Sequence, residues 1–114
     1  MKAYILAIIA AIRIVEGNPT GEPVKERNGY SWGELCIMQG KVDDYNKLTG
    51  ESITLQDCRS YAVSEKVAVV TLTHYIKAYQ RRHGHLPPVV WVAKIWNPSA
   101  EYAGKVQKAF KKKK

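Results

Sequence analysis

Apolar residues recur at three- and four-residue steps from the start of the chain. Ile5, Ile8, Ile9, Ile12 and Val15 fall on one stripe, which predicts an amphipathic helix over residues 2–16. Gly17-Asn18-Pro19 stops it. From Thr20 to Ser31 the pattern is lost: Gly21, Pro23, Asn28 and Gly29 stand among charged residues, with little apolar content before Tyr30 and Trp32, so a surface loop of functional length is expected. Gly33 to Gln39 is a short apolar piece, and Lys41 to Leu48 reads as a short helix closed by Thr49-Gly50. Thr54-Leu55-Gln56-Asp57 has the spacing of a capping box, in which the hydroxyl accepts an early backbone N–H and the acid three residues on reaches back.

The longest periodic segment, Ser60 to about Arg82, carries its core stripe on Ala68, Leu72, Tyr75, Ile76 and Tyr79, and it ends in basic residues and Gly84 as the helix dipole and C-cap rules favour. Pro87-Pro88 opens a compact apolar helix, Val89 to Trp96, which Asn97-Pro98-Ser99 breaks. A last helix, Ala100 to about Phe110, turns Tyr102, Ala103, Val106 and Phe110 to one side, and Lys111 to Lys114 reads as a solvated basic tail. No segment alternates convincingly as a strand. The expected class is mostly α with at most a minimal β element. A length of 114 residues fits one domain, taken here as 1–110 followed by the tail 111–114.

Composition changes this picture in two ways. A hydrophobic share of 46% with 25% charged residues is that of an ordinary globular chain, which excludes disorder as the default. A formal charge of +8 favours an anionic partner: nucleic acid, an anionic membrane surface or a bacterial wall rich in acidic polymers. The apolar start, Ala3 to Ile12, runs without a break into Arg13-Ile14-Val15-Glu16 in helical phase, and no small-x-small cleavage site follows. The expectation is therefore a chain made in the cytoplasm without a signal peptide, and the run is short of the roughly 20 apolar residues that span a bilayer. No four-ligand metal pattern exists, and neither metal nor cofactor is expected. Cys36 and Cys58 are expected as two free thiols, partly buried as small hydrophobes.

Among residues that carry chemistry, Glu16 stands out because it follows Ile9 and Ile12 on the apolar stripe at i+7 and i+4. A carboxyl laid against apolar side chains is partly desolvated, which disfavours its charge and suits it to donate a proton to a leaving oxygen. The competing reading is a helix-end glutamate turned to solvent. Cys36 and His74 make a poor thiol–imidazole pair, with no nucleophile turn and no orienting third group. His74 reads as a half-buried histidine, and His83-Gly84-His85 beside Arg81-Arg82 as a basic loop rather than a cation site.

Four blocks along the chain resemble the goose-type lysozyme and lytic transglycosylase superfamily, in a small phage-type form. Ala11-Ile12-Arg13-Ile14-Val15-Glu16-Gly17-Asn18-Pro19 is similar to the superfamily's "AI..VES..NP" opening, whose Glu is the catalytic acid. Seventeen residues after Glu16, Gly33-Glu34-Leu35-Cys36-Ile37 resembles the Gly-Leu-Met-Gln-Ile box that lies against that acid. Val42-Asp43-Asp44-Tyr45-Asn46 matches the "VDDVN" stretch of small members. Ala93-Lys94-Ile95-Trp96-Asn97, followed by Tyr102-Ala103-Gly104-Lys105-Val106, is similar to the "A..YNGG…Y…V" motif that closes the glycan cleft. Four positions depart from the pattern. Cys36 stands for the usual Gln, Pro98-Ser99 for Gly-Gly, and Gly17 for Ser.

The resemblance implies a compact lysozyme-like helical domain that cleaves the β-1,4 bond between N-acetylmuramic acid and N-acetylglucosamine in peptidoglycan, with Glu16 as general acid. It implies Trp32, Gly33, Leu35, Cys36, Ile37, Asn97 and Tyr102 as substrate-binding positions. Of the aromatic residues Tyr30, Trp32, Trp91, Trp96 and Tyr102, Trp32 is expected nearest the cleft, and Trp91 and Trp96 mainly in packing. A muramidase needs a second carboxylate to activate water, for which Glu22, Glu26 and Glu34 are candidates. A lytic transglycosylase, in which the sugar's own hydroxyl attacks, needs none, and one secure acid favours it. The expected place of action is the bacterial cell wall, in a phage- or virion-associated setting. Two other readings stand beside the enzyme: a lysozyme-like wall-binding or virion structural module without activity, motivated by Cys36 and Pro98-Ser99, and a nucleic-acid binder, motivated by the charge and by Arg81-Arg82-His83.

Overall fold

The computed structural model describes residues 1–27 and 29–113; Asn28 of the expected loop and Lys114 of the expected tail lie outside them. Among the described residues the chain is mostly helical. Five α-helices, α1 (Lys2–Glu16), α2 (Gln39–Thr49), α3 (Tyr61–His83), α4 (Val89–Trp96) and α5 (Ala100–Lys113), accompany a two-stranded antiparallel hairpin of β1 (Val24–Glu26) and β2 (Gly29–Ser31). The chain divides into two compact units. The first joins Met1–Val15 to Leu72–Lys114 and the second holds Glu16–Thr71, so α3 contributes its C-terminal part to one and its N-terminal part to the other.

The first unit is built from helices whose sequence period decides which side is buried. On α1, Ile5, Ile8, Ile9 and Ile12 are all at most 2% exposed, as the stripe predicts, and Ala11 joins them. Leu72 and Ile76 of α3, Val92, Ala93 and Trp96 of α4, and Ala103, Val106 and Phe110 of α5 complete the buried set. The Tyr4 hydroxyl donates to the Pro87 carbonyl at 2.6 Å, and its ring meets Phe110 edge-on with centroids 6.0 Å apart. Pro88 is the N-cap of α4, just before the first turn, where its missing N–H costs nothing. The Asn97-Pro98-Ser99 joint is a double cap: Asn97 Oδ1 accepts the Ser99 N–H at 3.1 Å, and Ser99 Oγ accepts the Tyr102 N–H at 3.3 Å. The helix α5 runs to Lys113, three residues past the predicted end, because nothing in the lysine run breaks a helix.

The second unit departs most from the sequence reading. The stretch expected as an open loop contains the hairpin, with Val24 opposite Ser31, Lys25 opposite Tyr30 and Glu26 opposite Gly29. Three-residue strands are too short to show period-2 alternation, which is why the pattern missed them. Here α2 starts two residues before its predicted start and ends on Gly50, whose left-handed φ of 76° lets its N–H return to the Asn46 carbonyl. The box at Thr54 forms as expected, with Thr54 Oγ1 accepting the Asp57 N–H and Asp57 Oδ2 accepting the Thr54 N–H at 2.9 Å; it heads a short 3-10 turn, Gln56–Arg59. Leu35, Ile37, Val42, Tyr45, Cys58, Val67 and Ala68 form the apolar interior, joined by Ser31, Ser64 and Thr71. The buried Tyr45 hydroxyl donates to Glu51 at 2.8 Å, and Asn46 brackets the Ile53 backbone by donating to its carbonyl and accepting from its N–H. These contacts are what the Val42–Asn46 block does in this structure.

The two α3 tyrosines of the predicted stripe, Tyr75 and Tyr79, are half-buried rather than buried. His74, expected half-buried, is exposed and edge-on to Tyr75 with centroids 5.2 Å apart, because it lies off the Leu72–Ile76 stripe. Both cysteines are free thiols, Cys58 buried and Cys36 half-buried.

Candidate active site in the second unit

Three polar backbone ties set the geometry around Glu16, the last residue of α1. Asn18 Nδ2 donates to the carbonyls of Glu22, at 2.9 Å, and Gly33, at 3.0 Å, and the Gly33 N–H donates to the Gly21 carbonyl at 3.2 Å. The turn leaving Glu16 is thereby pinned to the start of the Gly33–Ile37 box. Gly33 tolerates nothing larger: with φ at 83°, an added Cβ would sit 2.0 Å from the Cys58 carbonyl oxygen and 2.5 Å from Ser64 Oγ. The box itself is a tight loop. Trp32 and Ile37 exchange backbone hydrogen bonds of 2.8 and 2.9 Å across it, and the Cys36 N–H donates to the Gly33 carbonyl at 3.0 Å.

Closing this loop forces Cys36 to φ 49°, the left-handed region that a side chain rarely adopts. After burial, Glu16 and Ser31 are the side chains that act most on its thiol. Burial first, and then the negative charge of Glu16, push the thiol up to about 11; the S–H···carboxylate bond to Glu16 and the more distant Glu26 add to this, and the Ser31 hydroxyl works the other way. A thiol so placed is held protonated, so it is a donor to a carboxylate and not a nucleophile. None of the groups acting on it is a histidine, and the thiol–imidazole reading has no support in its surroundings.

Glu26 enters through the hairpin register. It lies diagonally across from Ser31, since Glu26 faces Gly29 and Val24 faces Ser31, and a long side chain spans that diagonal. The Ser31 hydroxyl, 1% exposed, donates to Glu26 Oε2 at 2.8 Å. Two carboxyl groups, Glu16 and Glu26, therefore act on the same small region around Cys36 and Ser31. Of the other acids considered, Glu22 is committed to an exposed ion pair with Arg59.

The sequence-predicted residues separate on this geometry. Glu16 and Trp32 are half-buried, as is Cys36. Gly33 is buried, and Leu35 and Ile37 are 0% exposed, so these three shape the loop from within and offer a ligand no side-chain surface. Asn97 and Tyr102, both half-buried, belong to the first unit, where Asn97 Oδ1 is already engaged as a cap. Trp96 is buried in packing, as expected, whereas Trp91 is half-buried with its ring 4.7 Å from that of Tyr79. Sequence reasoning missed the Ser31–Glu26 pair, which depends on the register of the hairpin.

Among the described residues, no group of three or more His, Cys, Asp or Glu side chains is arranged to hold a metal ion, and no helix is long and apolar enough to cross a membrane. Comparison with protein-family models, with curated proteins and with solved structures finds no match to this chain.

Proposed function

We propose that the second unit carries a glycoside-cleaving site of lysozyme-like type acting on the peptidoglycan MurNAc–GlcNAc bond, with Glu16 as general acid and Glu26 as its partner. The observation that carries this reading is the convergence of the two carboxyl groups on the Cys36–Ser31 pair. Glycosidic cleavage needs one carboxyl to protonate the leaving oxygen and, for hydrolysis, another to activate water or to attack the sugar. Glu16 ends an ordered helix and is half-buried beside the neutral Cys36 thiol. Glu26 is held in place by the buried Ser31 hydroxyl, which donates to its Oε2. The order of the four blocks along the chain supports the substrate class by resemblance alone.

Glu26 shifts the expected outcome from transglycosylation toward hydrolysis. Wild-type protein is expected to clear a peptidoglycan suspension and to release products with free reducing ends, and Glu16→Gln to leave the suspension turbid. Equal clearing by both proteins removes Glu16 from catalysis, and release of 1,6-anhydro products removes Glu26 from the role assigned here.

A second reading, a wall-binding or virion module without turnover, is favoured by Cys36 standing where the resembling family has Gln and by its strained backbone. Saturable binding to peptidoglycan with no soluble muropeptide released distinguishes it.

A further inference from the structure

The C-terminal end of α1 and one side of α5, both in the first unit, enclose an open groove of about 370 Å³ lined by Ile14, Val15 and Ala109 and rimmed by Lys105, Lys108 and Lys112. The three lysines recur at i, i+3 and i+7, the spacing of one helix side, and Ala109 brings an apolar spot between them. Core residues Ala103, Val106 and Phe110 occupy the other side of α5. Ile14 is 53% exposed. The exposed Ile14 thus shares one groove with Val15, Ala109 and the three lysines, an apolar lining under a cationic rim.

The charge of the unit names the occupant's sign. The first unit holds 12 of the chain's 18 Lys and Arg and 1 of its 10 acids, a net of +11, whereas the second holds 6 against 9, a net of −3. That single acid, Glu101, sits 3.4 Å from Lys105 on the same helix. Lys108 and Lys112 thus face a groove with no carboxylate in its lining. The groove wants a ligand that is anionic at its rim and apolar inside, which a soluble polyanion is not.

The structure assigns this groove as a docking site for an anionic phospholipid surface: phosphate groups at Lys108 and Lys112, and the upper acyl region against Ile14 and Val15. An amphipathic helix with a basic polar face binds in this way, its apolar contacts adding to the attraction between lysines and acidic headgroups. The site lies outside the proposed catalytic unit, so the inference stands whether or not peptidoglycan is cleaved.

The test is co-sedimentation of the full chain with vesicles of phosphatidylcholine alone or of phosphatidylcholine with phosphatidylglycerol. Binding is expected only to the second. Lys108→Gln with Lys112→Gln should lower partitioning by roughly 25-fold, at the usual contribution of a lysine near an acidic membrane. Ile14→Asp, at an exposed position that need not disturb folding, should lower it by on the order of tenfold through lost apolar contact. The melting temperature of each variant separates loss of binding from loss of fold, and a conservative Ile14→Leu should bind as the wild type does. Equal binding to both vesicle types overturns the proposal. So does loss with the lysine variants but none with Ile14→Asp, which would reduce the site to a charged patch. Tighter, equally lysine-dependent binding to duplex DNA than to the acidic vesicles would assign the groove to nucleic acid instead.

Discussion

The two units of this chain solve the problem of folding in different ways. The first is made of helices with long apolar stripes and carries all of the chain's excess positive charge, the second being net negative. The second has two short strands, a tight loop with a left-handed cysteine, a 3-10 turn and only one complete helix. It is held by side chains that bond to backbone: Asn18 to Gly33, Asn46 to Ile53, and Ser64 to the Cys58 carbonyl. The difference teaches where chemistry can be placed. A helix side presents residues at fixed spacing to one surface, which suits docking. A set of irregular loops converging on one point brings together groups that are distant in sequence, such as Glu16, Glu26 and Cys36, and this suits catalysis.

The sharpest way to break the proposed division of labour is to titrate catalysis against binding in single variants. Glu16→Gln is expected to lower peptidoglycan turnover by on the order of 10²–10⁴-fold. Lys108→Gln should leave hydrolysis of short soluble glycan oligomers unchanged. If Lys108→Gln reduces turnover of the oligomers as strongly as Glu16→Gln does, the units do not divide the work.

A second experiment tests whether the loops of the second unit are as tightly specified as their hydrogen bonds imply. Gly33→Ala puts a methyl group 2.0 Å from the Cys58 carbonyl carbon's oxygen at a φ that disfavours it, and a loss of more than about 3 kcal/mol in urea unfolding is expected. Gly50→Ala is the matched control, with a similar φ of 76° and nothing within 4 Å of the added atom; about 1 kcal/mol is expected there. Equal losses at the two positions would mean that backbone conformation alone, and not the close approach to Cys58, makes Gly33 necessary.

Alkaline pH sharpens the comparison further, because both cysteines lie in the second unit. Burial pushes Cys36 and Cys58 up to about 11, from an ordinary value of 9.0. Their protonated forms are thus favoured by folding. This contribution is fully present below about pH 9 and is lost as pH rises through about 11. Hydrogen exchange between those limits should quicken in α2 and the Gly33–Ile37 loop before α4 and α5, and Cys58→Ala should reduce the difference. The same shifts predict slow alkylation of both thiols by iodoacetamide near neutral pH.

How much of this could be read from the sequence varies with the kind of residue. For α1 and α4 the predicted and observed bounds coincide, because an unbroken apolar stripe and a strong stop signal, Gly17-Asn18-Pro19 or Asn97-Pro98, act within a few residues of each other. Likewise Glu16 was legible as a residue of interest from its place on that stripe. The hairpin was not, since three-residue strands carry too few positions for a period, and with it went the Ser31–Glu26 bond. His74 failed for a related reason: helical period alone does not say how wide the buried stripe of a long helix is, and only the neighbours of α3 settle that.

The sequence by itself therefore determined the helices to within a turn, the charge, and Glu16 as a residue at the end of an apolar stripe, because these depend on residues within one or two turns of one another. Tertiary structure alone decided what surrounds that acid. A protonated thiol from a loop twenty residues on comes under the influence of Glu16, and of Glu26 on a hairpin strand, only once the chain has closed the turns at Asn18 and Gly33. It decided equally that Ile14 and three lysines some ninety residues later share one groove, since no local rule relates the end of the first helix to the face of the last.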